Sequence, residues 1–153
     1  MAEICMTNGS IVLVDDEWHE RLSQFAWAPN TRGYPTMKIG RKIIPMHRIV
    51  MSAKPGQIVD HKNGQICDNR TENLRFCTHS ENMQNRKIHS SNACGVKGVY
   101  RDHRPRKNPY RVQIRVEGKK IVIGSFPTLD DAHSAYDAAS RKYHGEFSRL
   151  ASV

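Results

Sequence analysis

Between Tyr110 and Val116 the chain alternates without a break: Val112, Ile114 and Val116 at every second position, Arg111, Gln113 and Arg115 between them. Successive side chains on a strand leave opposite faces, so this run is an amphipathic strand with one apolar and one polar, basic face. The apolar face has to be covered, and the flanking sequence supplies the cover. Gly98–Arg101 reads as a strand before it, Arg104–Pro109 as a basic loop with two prolines, Glu117-Gly118 as a turn and Lys119–Phe126 as a returning strand. Thr128 stands three residues before Asp131, the spacing of an N-terminal helix cap. Behind it Leu129, Ala132, Tyr136, Ala139 and Tyr143 step by three, four, three and four towards Gly145, a natural helix stop. The expectation is a three-stranded antiparallel sheet with one helix against its apolar face.

The other face is read through charge. The 153 residues carry 24 Lys and Arg against 15 Asp and Glu, a net charge of +9. From Ser91 to Ser125, Lys97, Arg101, Arg104, Arg106, Lys107, Arg111, Arg115, Lys119 and Lys120 are opposed only by Asp102 and Glu117, nine minus two, or +7 in one segment. A concentration of that kind suits a polyanion, because each cation that meets a phosphate releases condensed counterions. No apolar run is long enough to span a membrane and Met1-Ala2-Glu3 lacks the basic start of a signal peptide, so a cytoplasmic protein without a membrane partner is expected. Cys5, Cys67, Cys77 and Cys94 are scattered without a Cys-x-x-Cys pair, which reads as free thiols rather than a disulfide framework or a zinc knuckle.

The first stretch, Met1 to about Met51, has a strand-like run at Ile11–Val14, a helical candidate at Asp16–Phe25 and a hairpin pair, Pro35–Ile39 and Lys42–Ile44, around Gly40-Arg41. Trp18, Trp27 and Tyr34 read as core aromatics. The second stretch, about Ser52 to Ser90, is polar and rich in turn residues. Val59-Asp60-His61 and Leu74-Arg75-Phe76 read as short strands, and Thr78-x-x-Glu81 as a capping box for a helix running to about Arg86. Ser90-Ser91-Asn92 reads as a linker, which divides the chain into residues 1–90 and 91–153. The groups that cleaving a phosphodiester needs, a histidine base and oxygen ligands for a hard cation, are all present in the second stretch: Asp60, His61, Asn73 and Asn82.

His47-Arg48-Ile49-Val50, then Val59-Asp60-His61-Lys62-Asn63-Gly64, Asp68-Asn69-Arg70-Thr71-Glu72-Asn73-Leu74-Arg75 and Thr78-His79-Ser80-Glu81-Asn82 resemble, in order and spacing, the HNH endonucleases of the phage and intron homing type. The closest likeness is to the branch whose third motif residue is Asn. The resemblance implies a ββα-metal fold within an α+β protein, with His61 as general base and Asn73 holding the imidazole tautomer. It also implies Asp60 and Asn82 as ligands of one divalent metal, Mg²⁺ or Mn²⁺. Cleavage would leave 5′-phosphate and 3′-hydroxyl ends. His47 and His79 are candidates for the border of the site, and Arg48, Arg70 and Arg75 for phosphate contacts. Gly98-Val99-Tyr100-Arg101, Tyr110–Arg115, Ile123-Gly124-Ser125-Phe126 and the helix Ala132–Tyr143 resemble an AP2-type DNA-binding domain over about Gly95–Leu150. That resemblance implies double-stranded DNA as partner, read by Arg101, Arg111, Gln113, Arg115 and Lys120. Arg104, Arg106 and Lys107 would then lie on the backbone. Together they imply a site-preferring homing-type nuclease, monomeric or homodimeric, that nicks one strand. Two other readings stay open: a DNA-binding regulator without nuclease activity, and a restriction or defence nuclease.

Overall fold

The structure is a computed structural model and describes residues 1–85, 88 and 92–148. Its contacts divide the chain into two compact units, Met1–Thr78 and His79–Val153. Arg86, where the sequence places a helix end, Ser90-Ser91 of the expected linker and Leu150 lie outside the described residues.

The first unit opens with an antiparallel hairpin, β1 (Ala2–Cys5) and β2 (Ile11–Val14), in register from Ala2 opposite Val14 to Cys5 opposite Ile11. Helix α1 (Asp16–Ser23) follows with Asp16 and Glu17 in its first turn and Arg21 in its last, charges that suit the helix dipole. It ends before Phe25, which stays exposed, while Leu22 is buried and Trp18 packs half-buried against the core. Trp27 is buried, as the sequence suggested, and its indole N–H donates to the Leu22 carbonyl at 2.8 Å. A small sheet of order β3 (Ala28–Pro29), β4 (Pro35–Ile39) and β5 (Lys42–Pro45) comes next, turning at Gly40 with φ of +58°. The five-residue helix α2 (Met46–Val50), too short to show a periodicity in sequence, then leads into the polar stretch. Its Arg48 guanidinium donates to the carbonyls of Ala53, Lys54 and Gln57, so it braces the following loop from within the protein. Strands β6 (Ile58–His61) and β7 (Leu74–Cys77) close the unit as an antiparallel pair, with Asp60 opposite Arg75 and His61 opposite Leu74. Ile4, Val12, Val14, Leu22, Trp27, Met46, Val59 and Leu74 share one core.

The second unit begins with α3 (His79–Gln84) and contains the sheet read from the alternation: β8 (Val99–Arg101), β9 (Tyr110–Val116) and β10 (Lys119–Phe126), in the order β10-β9-β8 and antiparallel throughout. Val112 and Ile114 are buried against Ala132, Tyr136 and Ala139 of α4 (Leu129–His144). The Thr128 hydroxyl accepts from the Asp131 N–H at 3.1 Å, and Gly145 ends the helix with φ of +52°. Tyr143 is exposed, its ring beneath the Lys142 ammonium, and the buried stripe ends instead on Ser140 and His144, whose Nε2 lies 3.0 Å from the Arg115 carbonyl. Among the described residues no helix is long and apolar enough to cross a membrane.

At Gly98 the backbone lies close against Tyr136 of the helix. Its φ is +71°, and a Cβ there would stand 2.2 Å from the Tyr136 ring and 2.5 Å from the Gln113 carbonyl. Gly98→Ala is therefore expected to destabilise the second unit by roughly 3 kcal/mol, from overpacking and a left-handed backbone together. Thermal unfolding followed by circular dichroism measures this, and a melting point equal to that of the wild type would contradict it.

Candidate active site

Strand β6 ends on two adjacent polar residues, Asp60 and His61, which are only 8% and 3% exposed. Neighbours on a strand point apart, so each meets partners of its own. Asp60 faces Arg75 across the β6–β7 pair, and the guanidinium donates to Oδ2 from Nε at 3.1 Å and from Nη2 at 2.9 Å. Arg75 is itself 8% exposed. It is thus turned inward on the Asp60 carboxylate across the strand pair.

His61 Nε2 lies 3.3 Å from Asn69 Oδ1. The Asn69 side chain is fully buried and its amide nitrogen donates to the Ile66 carbonyl, which turns the amide oxygen to the ring. An acceptor there makes Nε2 the N–H nitrogen and leaves the imidazole lone pair on Nδ1. Burial holds the His61 pKa below its ordinary value, against the opposing effects of the Asn69 hydrogen bond and of Asp60 and Asp68. The ring is therefore neutral at neutral pH, as a proton acceptor has to be.

The loop that carries Asn69 is fastened at several points. The Asn69 N–H donates to the Leu13 carbonyl of β2 at 2.8 Å, and the Leu13 N–H donates to Cys67 at 2.8 Å. Arg70 holds Asp68 through two contacts of 2.8 Å. Asn73, at the end of a 3-10 turn (Thr71–Asn73), donates to the Asp68 carbonyl and accepts from the Asn63 N–H. Its amide ties the two sides of the loop together. The imidazole contact expected of Asn73 is made by Asn69, because the 3-10 turn seats Asn73 at the start of β7 while β2 draws Asn69 across to the ring. The sequence signal for Asn69 was an Asp-Asn pair, which reads as a turn. Only its pairing with a strand over fifty residues earlier gives it a different part.

Two further rings enclose the imidazole. Tyr34, just before β4, and His47, on α2, have centroids 5.9 Å and 5.3 Å from that of His61 and 5.4 Å from one another. His47 Nδ1 is buried without a hydrogen-bond partner among the described residues. Burial, then the neighbouring His61 and Arg48, bring the His47 pKa down to about 4.

The remaining candidates lie in the second unit. Asn82 sits half-buried on α3, and His79 is exposed at its first turn. Arg111 and Arg115 are exposed on β9 with Gln113 half-buried between them, and Lys120 stands opposite Arg115 on β10. Arg101 pairs with Tyr110, and its guanidinium is 5.9 Å from that ring, so it belongs to the other face of the sheet. The neighbour of Arg111 on β8 is Tyr100, 53% exposed, which the charge pattern did not reveal.

Residues 45–84 match the family model of the HNH endonuclease, a span running from the end of β5 through α2, β6, β7 and α3. An uncharacterized HNH endonuclease of Acanthamoeba polyphaga mimivirus is 28% identical over 139 residues, covering 86% of this chain and 69% of that protein. Protein 3.8 of Escherichia phage T7 is 30% identical over 95 residues, covering 62% of this chain and 76% of that protein. Over residues 45–84 the chain carries an HNH endonuclease domain. No solved structure matches the chain.

The family's general dependence on a divalent metal can be set against this endonuclease's own donors. Among the described residues no three His, Cys, Asp or Glu side chains converge. A hard cation that keeps most of its water needs only one or two protein oxygens, and the buried Asp60 carboxylate fits that demand.

His47 carries a pH dependence whose sign is fixed. Its folded pKa of about 4 lies below the ordinary 6.5, so the unfolded chain takes up the proton first. The stability present above pH 6.5 is lost as pH falls towards 4, by up to about 3 kcal/mol. Denaturant unfolding at pH 7 and pH 4.5 should show this fall, and His47→Phe should shrink it by about 2 kcal/mol. An identical fall in wild type and variant would contradict the assignment.

Proposed function

We propose that this HNH endonuclease hydrolyses a phosphodiester of double-stranded DNA with His61 as its general base. The observation that carries the proposal is the buried His61 imidazole, its pKa held down by burial, with Asn69 Oδ1 3.3 Å from Nε2. In the step envisaged, Nδ1 takes a proton from a water that attacks phosphorus in line with the departing 3′ oxygen. The P–O3′ bond breaks and the departing 3′ oxygen takes a proton from solvent water, leaving a 5′-phosphate and a 3′-hydroxyl. Arg75 keeps the Asp60 carboxylate fixed, and Tyr34 and His47 limit rotation of the base. Asp60 would hold a divalent cation, Mg²⁺ or Mn²⁺, with Asn82 as a further oxygen ligand on its place in the sequence motif alone. When bound, that cation supplies charge neutralisation at the phosphate and the leaving oxygen.

The second unit is proposed to hold the DNA as an AP2-like module. Arg111, Gln113, Arg115 and Lys120 offer guanidinium, amide and ammonium groups from one exposed sheet face, and Tyr100 adds a ring beside Arg111. One catalytic histidine per chain suits a nick in one strand, and the pairing of a cutter with a sequence reader suits a homing-type role.

Incubation of supercoiled plasmid with Mg²⁺ tests the reading. Wild type should relax it, and His61→Ala should slow the reaction by about 10²-fold or more. A plasmid left intact by wild type in every divalent cation would defeat it. For the sheet, changing Arg111 and Arg115 to Ala should weaken duplex binding and reduce the slope of log K against log salt by about two. An unchanged slope would show that DNA meets another surface.

A further inference from the structure

The tip of the β4–β5 hairpin does not behave as a hairpin that merely closes a core. Lys38, Ile39, Gly40, Arg41, Lys42 and Ile43 are all exposed, Ile39 at 52% and Ile43 at 66%. The cross-strand register sets Lys38 opposite Ile43 and Ile39 opposite Lys42, so each face of the tip bears one lysine and one isoleucine, with Arg41 at the turn. No carboxylate offsets them locally: between Glu20 and Asp60 the chain has no Asp or Glu, while Arg21, Arg32, Lys38, Arg41, Lys42, Arg48 and Lys54 are all basic. Of these Arg48 is committed to backbone carbonyls, which leaves the hairpin tip as the densest group of cations in the stretch.

The hairpin is also rooted at the catalytic imidazole. Tyr34 immediately precedes β4 and His47 follows β5 by two residues, and both rings lie against His61. From that root, five residues of strand extend roughly 15 Å. A duplex whose phosphate reaches His61 therefore passes within the hairpin's range. Cations flanking exposed aliphatic side chains on a narrow ribbon match the chemistry of a nucleic-acid groove: phosphates along its edges, sugars and base edges inside it.

We propose that the β4–β5 hairpin grips duplex DNA beside the cleaved phosphate, with Lys38, Arg41 and Lys42 on the backbone and Ile39 and Ile43 in a groove. The proposal rests on the reading that the first unit acts on DNA, and its test is independent of cleavage. Binding of the full chain to a short duplex is measured by fluorescence anisotropy in EDTA across a salt series. Changing Lys38, Arg41 and Lys42 together to Ala should weaken binding about tenfold and lower the salt slope by two to three. Arg41→Ala alone, at the exposed turn, should lower it by about one, which keeps the test valid if the triple variant folds poorly. Ile39→Ser with Ile43→Ser should weaken binding severalfold and leave the slope unchanged. Wild-type affinity and slope in the charge variants would overturn the proposal. So would sedimentation showing a dimer of the wild type that the serine substitutions dissolve, since the tip would then pair two copies of the chain. His61→Ala should bind as the wild type does. Loss of cleavage in every protein with binding intact would fail the catalytic reading alone, whereas a wild type that binds no duplex would fail the substrate reading and the proposal with it.

Discussion

Everything at the candidate site depends on making a polar loop rigid. Residues 62–73 contain almost nothing apolar, yet Asp68, Asn69 and Asn73 are buried within them. Buried amides and carboxylates are tolerable only when their hydrogen bonds are made, and here the bonds do the positioning that packing does elsewhere. Asn73 joins the two sides of the loop, Arg70 clamps Asp68, and the Leu13 carbonyl takes the Asn69 N–H. The Asp15 carboxylate adds two more bonds, to the Thr71 N–H and hydroxyl. The N-terminal hairpin is thereby part of the scaffold of the site, although the family match covers only residues 45–84.

That rigidity has a chemical consequence at His61. An imidazole near its ordinary pKa would be divided between two tautomers and a cation at neutral pH, and only one of those species offers Nδ1 as a base. Burial removes the cation, and Asn69, its amide fixed by Ile66, selects the tautomer. The Asp60–Arg75 pair meanwhile supplies a carboxylate whose position is set by a second strand. A buried pair of this kind contributes little net stability, and its value here is geometric.

What could be read along the chain was whatever has a local period or a local motif. The alternation at Tyr110–Val116 and the three-four stepping after Thr128 correspond to β9 and α4 because each records its own burial face. Asp60 and His61 are adjacent in sequence and could be singled out as a pair. Asn69, Arg75, Tyr34 and His47 owe their places to partners between fourteen and fifty-six residues away, and no spacing rule reaches that far. Arg101 and Tyr143 show the converse. Each fits a local pattern, but Arg101 lies on the strand face opposite to Arg111, and Tyr143 turns outward while His144 takes the inner position.

The account stands on a neutral His61 whose proton is on Nε2. Nitrogen-15 NMR of the imidazole at pH 7 observes that state directly, with His61→Ala used to assign the signal. The prediction is a protonated Nε2, an unprotonated Nδ1, and a midpoint for conversion to imidazolium below the ordinary 6.5. A proton on Nδ1, or an imidazolium at pH 7, would contradict it.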